Sequence, residues 1–251
     1  TELTLPLLAG ACLALVFAIS PRRGRRANAA GWRPQTALVA FAALFPLICE
    51  VVVRGPAFSG MRHFLFIVPP IAALAGLGMD RALGQLEALR RLGRPAAAAG
   101  LALVLLGLGW DASRLYRLHP DEYLYFNPLV GGLHGASRRY DTDYWVNIMP
   151  EAVQDLEHYL DRTERASGKP GRRRYLVVVC GERLSFEKQA DSRLEWTSDW
   201  DRADFFIAPT NVNCDRVLGG RIVATIERLG VPIGVVKDRR GMSHPSLARV
   251  Q

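Results

Sequence analysis

Apolar positions are arranged in two different ways along this chain. Up to about residue 110 they form four long runs, Leu3–Ser20, Gln35–Val53, His63–Met79 and Pro95–Trp110. The first and last hold no charged side chain, the second holds only Glu50, and the third has His63 at its edge. A helix crossing the hydrocarbon core takes roughly 20 residues, with about 17 as a working minimum. The pattern therefore predicts four transmembrane helices, over about 3–20, 35–53, 63–79 and 95–110. Beyond residue 113 the runs shorten and alternate. Pro150 opens a helix whose Ala152, Val153, Leu156, Tyr159 and Leu160 share one face as far as about Arg165. Strands follow at Tyr175–Cys180, Leu194–Thr197, Asp204–Ala208, Ile222–Arg228 and Ile233–Lys237, with a helix around Leu184–Ala190. Leu229-Gly230-Val231-Pro232 between the last two marks a tight hairpin connection. The alternation predicts a small, mostly parallel sheet covered by helices. Residues 1–113 thus form a transmembrane region and 114–251 an α/β domain.

Charge supplies the orientation. The 251 residues carry 32 Lys and Arg against 24 Asp and Glu, a net +8. Residues 1–113 hold 11 basic and 5 acidic side chains, and residues 114–251 hold 21 and 19. The excess lies in two clusters between apolar runs, which excludes nucleic acid as its explanation, and the apolar runs exclude both disorder and a single soluble globule. Arg22, Arg23, Arg25, Arg26 and Arg33 fill the first connection; Arg81, Arg90, Arg91 and Arg94 fill the third. Positive-inside counting puts both in the cytoplasm, so everything after Trp110 is extracytoplasmic. The fold class expected is a membrane all-α part with four transmembrane helices, followed by a small extracytoplasmic α/β domain. Leu83, Leu86, Leu89 and Leu92 within Asp80–Arg94 suit either a short amphipathic helix on the inner leaflet or a solvated linker. The chain enters its first run almost directly after Thr1, without a basic leader or a small-residue cleavage site, and predicts the C-terminal part of a longer polypeptide.

Three features of the spans are costly in lipid. Glu50 is an acid near the outer end of the second run; pairing with Arg54 at i,i+4 and snorkelling to the interface both answer it. Pro69-Pro70 interrupts the third run and Pro46 the second, which predicts kinks. Arg62-His63 sits at the extracytoplasmic mouth of the third run. A guanidinium there can grip a phosphate with two hydrogen bonds, or anchor the helix among ordinary lipid headgroups.

The stretch Arg62-His63-Phe64-Leu65-Phe66-Ile67-Val68-Pro69-Pro70, with the small-residue run ending in Gly76-Leu77-Gly78, resembles the last conserved spans of polytopic glycosyltransferases of the GT-C type, the polyprenyl-phosphate-dependent, mannosyltransferase-like superfamily. His119-Pro120-Asp121-Glu122-Tyr123-Leu124-Tyr125-Phe126-Asn127, then Gly131-Gly132 and Asp141-Thr142-Asp143-Tyr144-Trp145, is similar to a block after the final span of bacterial members. Together the blocks cover roughly Arg54–Leu156. The resemblance implies a multi-pass protein of the bacterial inner membrane that moves a sugar from a polyprenyl-phosphate donor on the extracytoplasmic face. It also implies an inverting displacement assisted by an acid in an early outer loop. No residue of this sequence matches that acid, so the catalytic residues stay unknown. Arg62, with His63 and Arg54, is the implied contact for the donor phosphate. The lipid-phosphate sugar is a substrate, and no cofactor or metal is implied.

In the second half, Tyr123, Tyr125, Phe126, Tyr140, Tyr144 and Trp145 suit an interfacial belt, a core, or stacking against sugar rings. Tyr144, Trp145 and Asp143 are the candidates for acceptor or sugar contact; Glu122, Asp141 and Asp143 are acid/base candidates or capping residues. Cys180 and Cys214 can pair in an oxidising compartment, although sequence does not give their separation. Cys12 and Cys49 read as inert small hydrophobes, and no Cys/His spacing suits zinc. His119, His134, His158 and His244 assemble into no triad. Neither the glycine-rich dinucleotide fingerprint nor a phosphate loop follows Tyr175–Cys180, which argues against a nucleotide. Two expectations follow: an enzyme, as part of a membrane glycosyltransferase joined to an N-terminal part, or a non-catalytic membrane scaffold or accessory subunit of a larger assembly. The partners are membrane lipids and polyprenyl-phosphate sugar, with the N-terminal part or another membrane subunit, and not nucleic acid.

Overall fold

The computed structural model describes residues 3–19, 29–54, 61–88, 93–167 and 174–242. They fall into two compact units, Thr1–Gly132 and Leu133–Gln251. This junction lies past the boundary expected after residue 113. The helix that begins in the fourth apolar run continues to Leu118, and Tyr125 and Asn127 bond back to Asp111 and Leu3. Residues 114–132 therefore belong to the helical unit.

The first unit is built on α1 (Leu5–Ile19), α2 (Ala29–Val53), α3 (Val68–Glu87) and α4 (Gly93–Leu118). Three stretches are long and apolar enough to cross a membrane: Thr36–Val53 in α2, Phe64–Glu87 covering α3 and the 3-10 residues before it, and Gly93–Leu118 in α4. The fourth, α1, is apolar but only 15 residues long, about 22 Å at 1.5 Å per residue, short of a hydrocarbon core of about 30 Å. Side chains at Leu38, Phe41, Ile48, Val51 and Val52 on α2, and at Leu103 and Leu106 on α4, stand more than half exposed. A water-facing surface this apolar is unfavourable; against lipid tails it costs nothing.

Small residues let α1 and α3 touch. A β-carbon added at Gly10 would stand 2.7 Å from the Ala75 carbonyl oxygen, and one at Gly78 would overlap the Gly10 carbonyl. Ala14, Ala43 and Leu74 close the centre, with Val39 and Ile71 packed on them. This is backbone-on-backbone packing of the kind lipid-embedded helices use, where no hydrophobic effect drives association.

Two local expectations change. Pro69 and Pro70 open α3 at its first turn, where the missing amide hydrogens cost nothing, after a 3-10 segment Met61–Ile67. They start the helix instead of kinking it. Asp80–Glu87 continues α3 and forms no separate helix; Leu83 and Leu86 lie against α4 at Gly100. Leu89 and Leu92 lie outside the described residues.

The second unit contains the end of the short helix α5 (Gly132–Ala136), α6 (Met149–Ser167), α7 (Arg183–Glu187) and one sheet: β1 (Tyr175–Val179), β2 (Leu194–Trp196), β3 (Phe205–Pro209), β4 (Arg221–Arg228) and β5 (Val231–Asp238). The order is β2-β1-β3-β5-β4. β1 pairs parallel with β2 and β3, whereas β5 runs antiparallel to both β3 and β4. The sheet is mixed, where a mostly parallel one was expected. The expected hairpin is responsible: Leu229 and Gly230, with φ of 50° and 74°, make a two-residue turn with positive φ at both positions, the kind that matches the right-handed twist of the strands it joins. The returning strand then pairs with β3. All five residues of β3 are buried, as a central strand requires. α6 lays Ala152, Val153, Leu156 and Leu160 inward, each at most 1% exposed.

Candidate functional site

The helical unit carries an apolar cavity of about 430 Å³ that is open along one side. Its walls come from α1 (Pro6, Gly10), α3 (Met79, Leu83) and α4 (Leu103, Val104), and Trp110, Asp111 and Pro128 line its end. The same three residues line a second cavity of about 150 Å³, together with Arg114, Tyr125 and Gly132. The apolar cavity thus adjoins a smaller one lined by both polar and apolar residues.

Asp111 stands where they meet. It sits two turns before the end of α4 and is only 5% exposed. Its Oδ1 accepts a 2.7 Å hydrogen bond from the Tyr125 hydroxyl. Its Oδ2 has no partner among the described residues. Burial first, and then the hydrogen bond to Asp111, push the Tyr125 phenol well above its ordinary value, so it stays a donor at any physiological pH. Arg114, one turn on from Asp111, stacks its guanidinium 5.2 Å from the Trp110 ring centre. Tyr125 is placed by the short 3-10 turn Glu122–Leu124, whose end it forms. Asn127 fixes the segment after it. Its amide donates to the Leu3 carbonyl at 2.9 Å and its Oδ1 accepts from the Leu129 amide.

Comparison with family models, with curated proteins and with solved structures gave no match to this chain.

Of the residues proposed to hold a lipid phosphate, Arg62 and His63 lie in the 3-10 segment before α3, and their side chains lie outside the described residues. Arg54 has a φ of 52° and is exposed. The left-handed turn takes it off the helical path, and it makes no ion pair with Glu50. The first arginine cluster, Arg22 to Arg26, also lies outside the described residues, as do the Arg33 side chain, Arg90, Arg91 and His244.

In the second unit, Asp143 is fully buried. Its two oxygens accept the amides of Asn147 at 2.9 Å and Ile148 at 3.2 Å, just ahead of α6. That is helix-entry chemistry. Tyr144 and Trp145 follow it on the surface, edge to face with ring centres 5.3 Å apart. Glu122 in the first unit pairs with His119, whose hydrogen bond holds its carboxyl below the usual range. Cys180, after β1, and Cys214, in the turn Asn211–Arg216, are joined by a disulfide with α-carbons 6.5 Å apart. Beside it, Arg138 grips Asp215 with two guanidinium nitrogens at 2.9 and 3.2 Å and reaches Asn213 at 2.8 Å.

Sequence reading missed Asp111, Arg114 and Tyr125 as a group. One signal was present: Asp111 is the first charge after an uncharged run, one residue past Trp110. It read as the start of a linker because the apolar run ends there, while the helix does not.

Proposed function

We propose that this chain is the C-terminal portion of a glycosyltransferase of the bacterial inner membrane. In this reading all four apolar helices cross the bilayer, and the α/β unit lies on the extracytoplasmic face. The sugar moves from a polyprenyl-phosphate donor, and the catalytic acid comes from an N-terminal part. The observation that carries the reading is the 430 Å³ cavity between α1, α3 and α4. Its size lies within the roughly 300–1,000 Å³ of pockets that hold organic ligands, and its wall suits an isoprenoid tail. The two sequence blocks around Arg62 and after His119 support it, as does the arginine distribution between the runs.

A second reading, a non-catalytic membrane scaffold or accessory subunit, draws on the wide exposed apolar face of α2, which a neighbouring subunit would also cover. Binding of polyprenyl phosphate to the purified full chain separates the two. The transferase reading expects saturable binding that Arg62→Ala weakens by about tenfold, the loss of a bidentate charged contact. Absence of binding favours the scaffold, and saturable binding with equal affinity in the variant removes Arg62 from the site.

A further inference from the structure

Arg114 is a cation that the fold holds in place without neutralising it. Its guanidinium stacks 5.2 Å from the centre of the Trp110 ring, and it makes no ion pair or hydrogen bond among the described residues. Asp111, one turn earlier, makes no ion pair with it: Oδ1 accepts from Tyr125, and Oδ2 lies inside the protein. The Arg114 side chain stays partly exposed and lines the smaller cavity, so a ligand there can reach it. Gly132 passes it as bare backbone; a β-carbon there would stand 3.9 Å from Nη1. A guanidinium held flat on a ring offers its remaining N–H groups in one plane, which suits two oxygens of a phosphate.

The space beside it narrows the ligand. The smaller cavity shares Trp110, Asp111 and Pro128 with the apolar one between α1, α3 and α4. A free phosphate leaves the apolar space unfilled, and a lipid without charge leaves the guanidinium unpaired; a lipid phosphate answers both. Leu103 lines the apolar cavity yet is 70% exposed, so a chain enters sideways, directly from surrounding lipid. The uncharged run of α4 ends at Trp110, and Arg114, Tyr116 and Arg117 follow on the same helix. Aromatic and basic side chains in that succession mark the depth of the headgroups. We propose that the paired cavities bind one lipid phosphate, with its chain between α1, α3 and α4 and its phosphate oxygens on Arg114. A polyprenyl phosphate and a bilayer glycerophospholipid share this chemistry, so the inference does not rest on the transferase reading.

The test is native mass spectrometry of the purified full chain in a detergent without phosphate. The probes are dioleoyl phosphatidate, decaprenyl phosphate and dioleoylglycerol. Wild-type protein is expected to retain one equivalent of a phosphate probe about tenfold more tightly than dioleoylglycerol, the contribution of one charge-assisted contact. Arg114→Gln removes the charge and keeps a polar side chain, and the preference falls by about tenfold. Arg117→Gln, at an exposed position on the same helix, leaves the preference unchanged. Val104→Trp fills the apolar cavity and weakens retention of all three probes. Tighter retention of decaprenyl phosphate identifies a polyprenyl source, and tighter retention of phosphatidate a bilayer source. Phosphatidate held through Arg114, with decaprenyl phosphate not retained, upholds the inference while the transferase reading loses its donor. Decaprenyl phosphate that responds to Arg62→Ala but not to Arg114→Gln keeps that reading and overturns the inference. Equal retention of all three probes by the wild type overturns it without any variant having to fold, as does an equal loss of preference in Arg117→Gln.

Discussion

Replacing Asp238 by asparagine removes one negative charge from the end of the central strand β5 and changes little else. The carboxylate is 7% exposed. It accepts from the Arg240 guanidinium at 2.7 and 3.0 Å, from the Arg240 amide at 3.0 Å and from the Tyr159 hydroxyl at 2.8 Å. Burial pushes its pKa up, but the Arg240 bonds and the Tyr159 hydroxyl outweigh it and hold the carboxyl below its ordinary 3.8. Asparagine keeps the shape and loses the charge assistance, leaving Arg240 among the Tyr159, Tyr175 and Phe205 rings without its counter-ion. Hydrogen bonds to charged groups contribute about 1.5–3 kcal/mol. Arg240 is 27% exposed, so the loss lies below the roughly 3–5 kcal/mol of a fully buried broken pair. We expect about 2–3 kcal/mol at pH 7, a drop of about 1–2 M in the urea midpoint. The assay is a urea titration of the solubilised full chain followed through Trp200, which packs on Phe206 of β3. A depressed carboxylate pKa stabilises the fold above the unfolded value and is lost as pH falls through the folded value. The gap between wild type and Asp238→Asn is therefore full at pH 7, shrinks once pH falls below the unfolded carboxylate value of about 3.9, and closes as pH falls through the lower folded value. A gap that persists unchanged to acid pH, or no gap at neutral pH, refutes the reasoning.

Two further outcomes follow from packing and cross-linking. Cys180→Ser with Cys214→Ser opens a loop of 34 residues and is expected to cost about 3–4 kcal/mol; the same fall should appear in wild type on adding reductant, read from the urea midpoint of the second unit. Gly78→Leu places a side chain against the α1 backbone and is expected to cost at least about 1–3 kcal/mol, while Gly84→Leu, with nothing within 4 Å of its added β-carbon, should leave the thermal midpoint of the solubilised chain within about a degree.

The elements that can be read from the sequence are those set by local spacing. The α6 face, the strand around Tyr175–Val179 and the Leu229-Gly230 turn follow from periodicity and from glycine's tolerance of positive φ. The strand order does not follow, because β5 lies between β3 and β4 through pairings such as Phe205 with Asp238, far apart in the chain. The site divides the same way. A lone acid after an oily run is visible, but the burial of Asp111 and the 14-residue reach to Tyr125 come from how α4 and the segment after it fold back. The roles given to Tyr144 and Asp143 rested on residue type alone. Only the structure shows that Asp143 spends both oxygens on the amides ahead of α6.

The position of β5 has a consequence for how the protein is made. Its partner β3 leaves the ribosome more than twenty residues earlier and waits with a bare edge until Asp238 has emerged. Until that moment the nascent chain exposes a greasy ribbon of Phe205, Phe206 and Ile207 to anything able to zip onto it. A message cut short before Val231 yields a polypeptide that carries its membrane helices yet lacks the strand that seals the sheet.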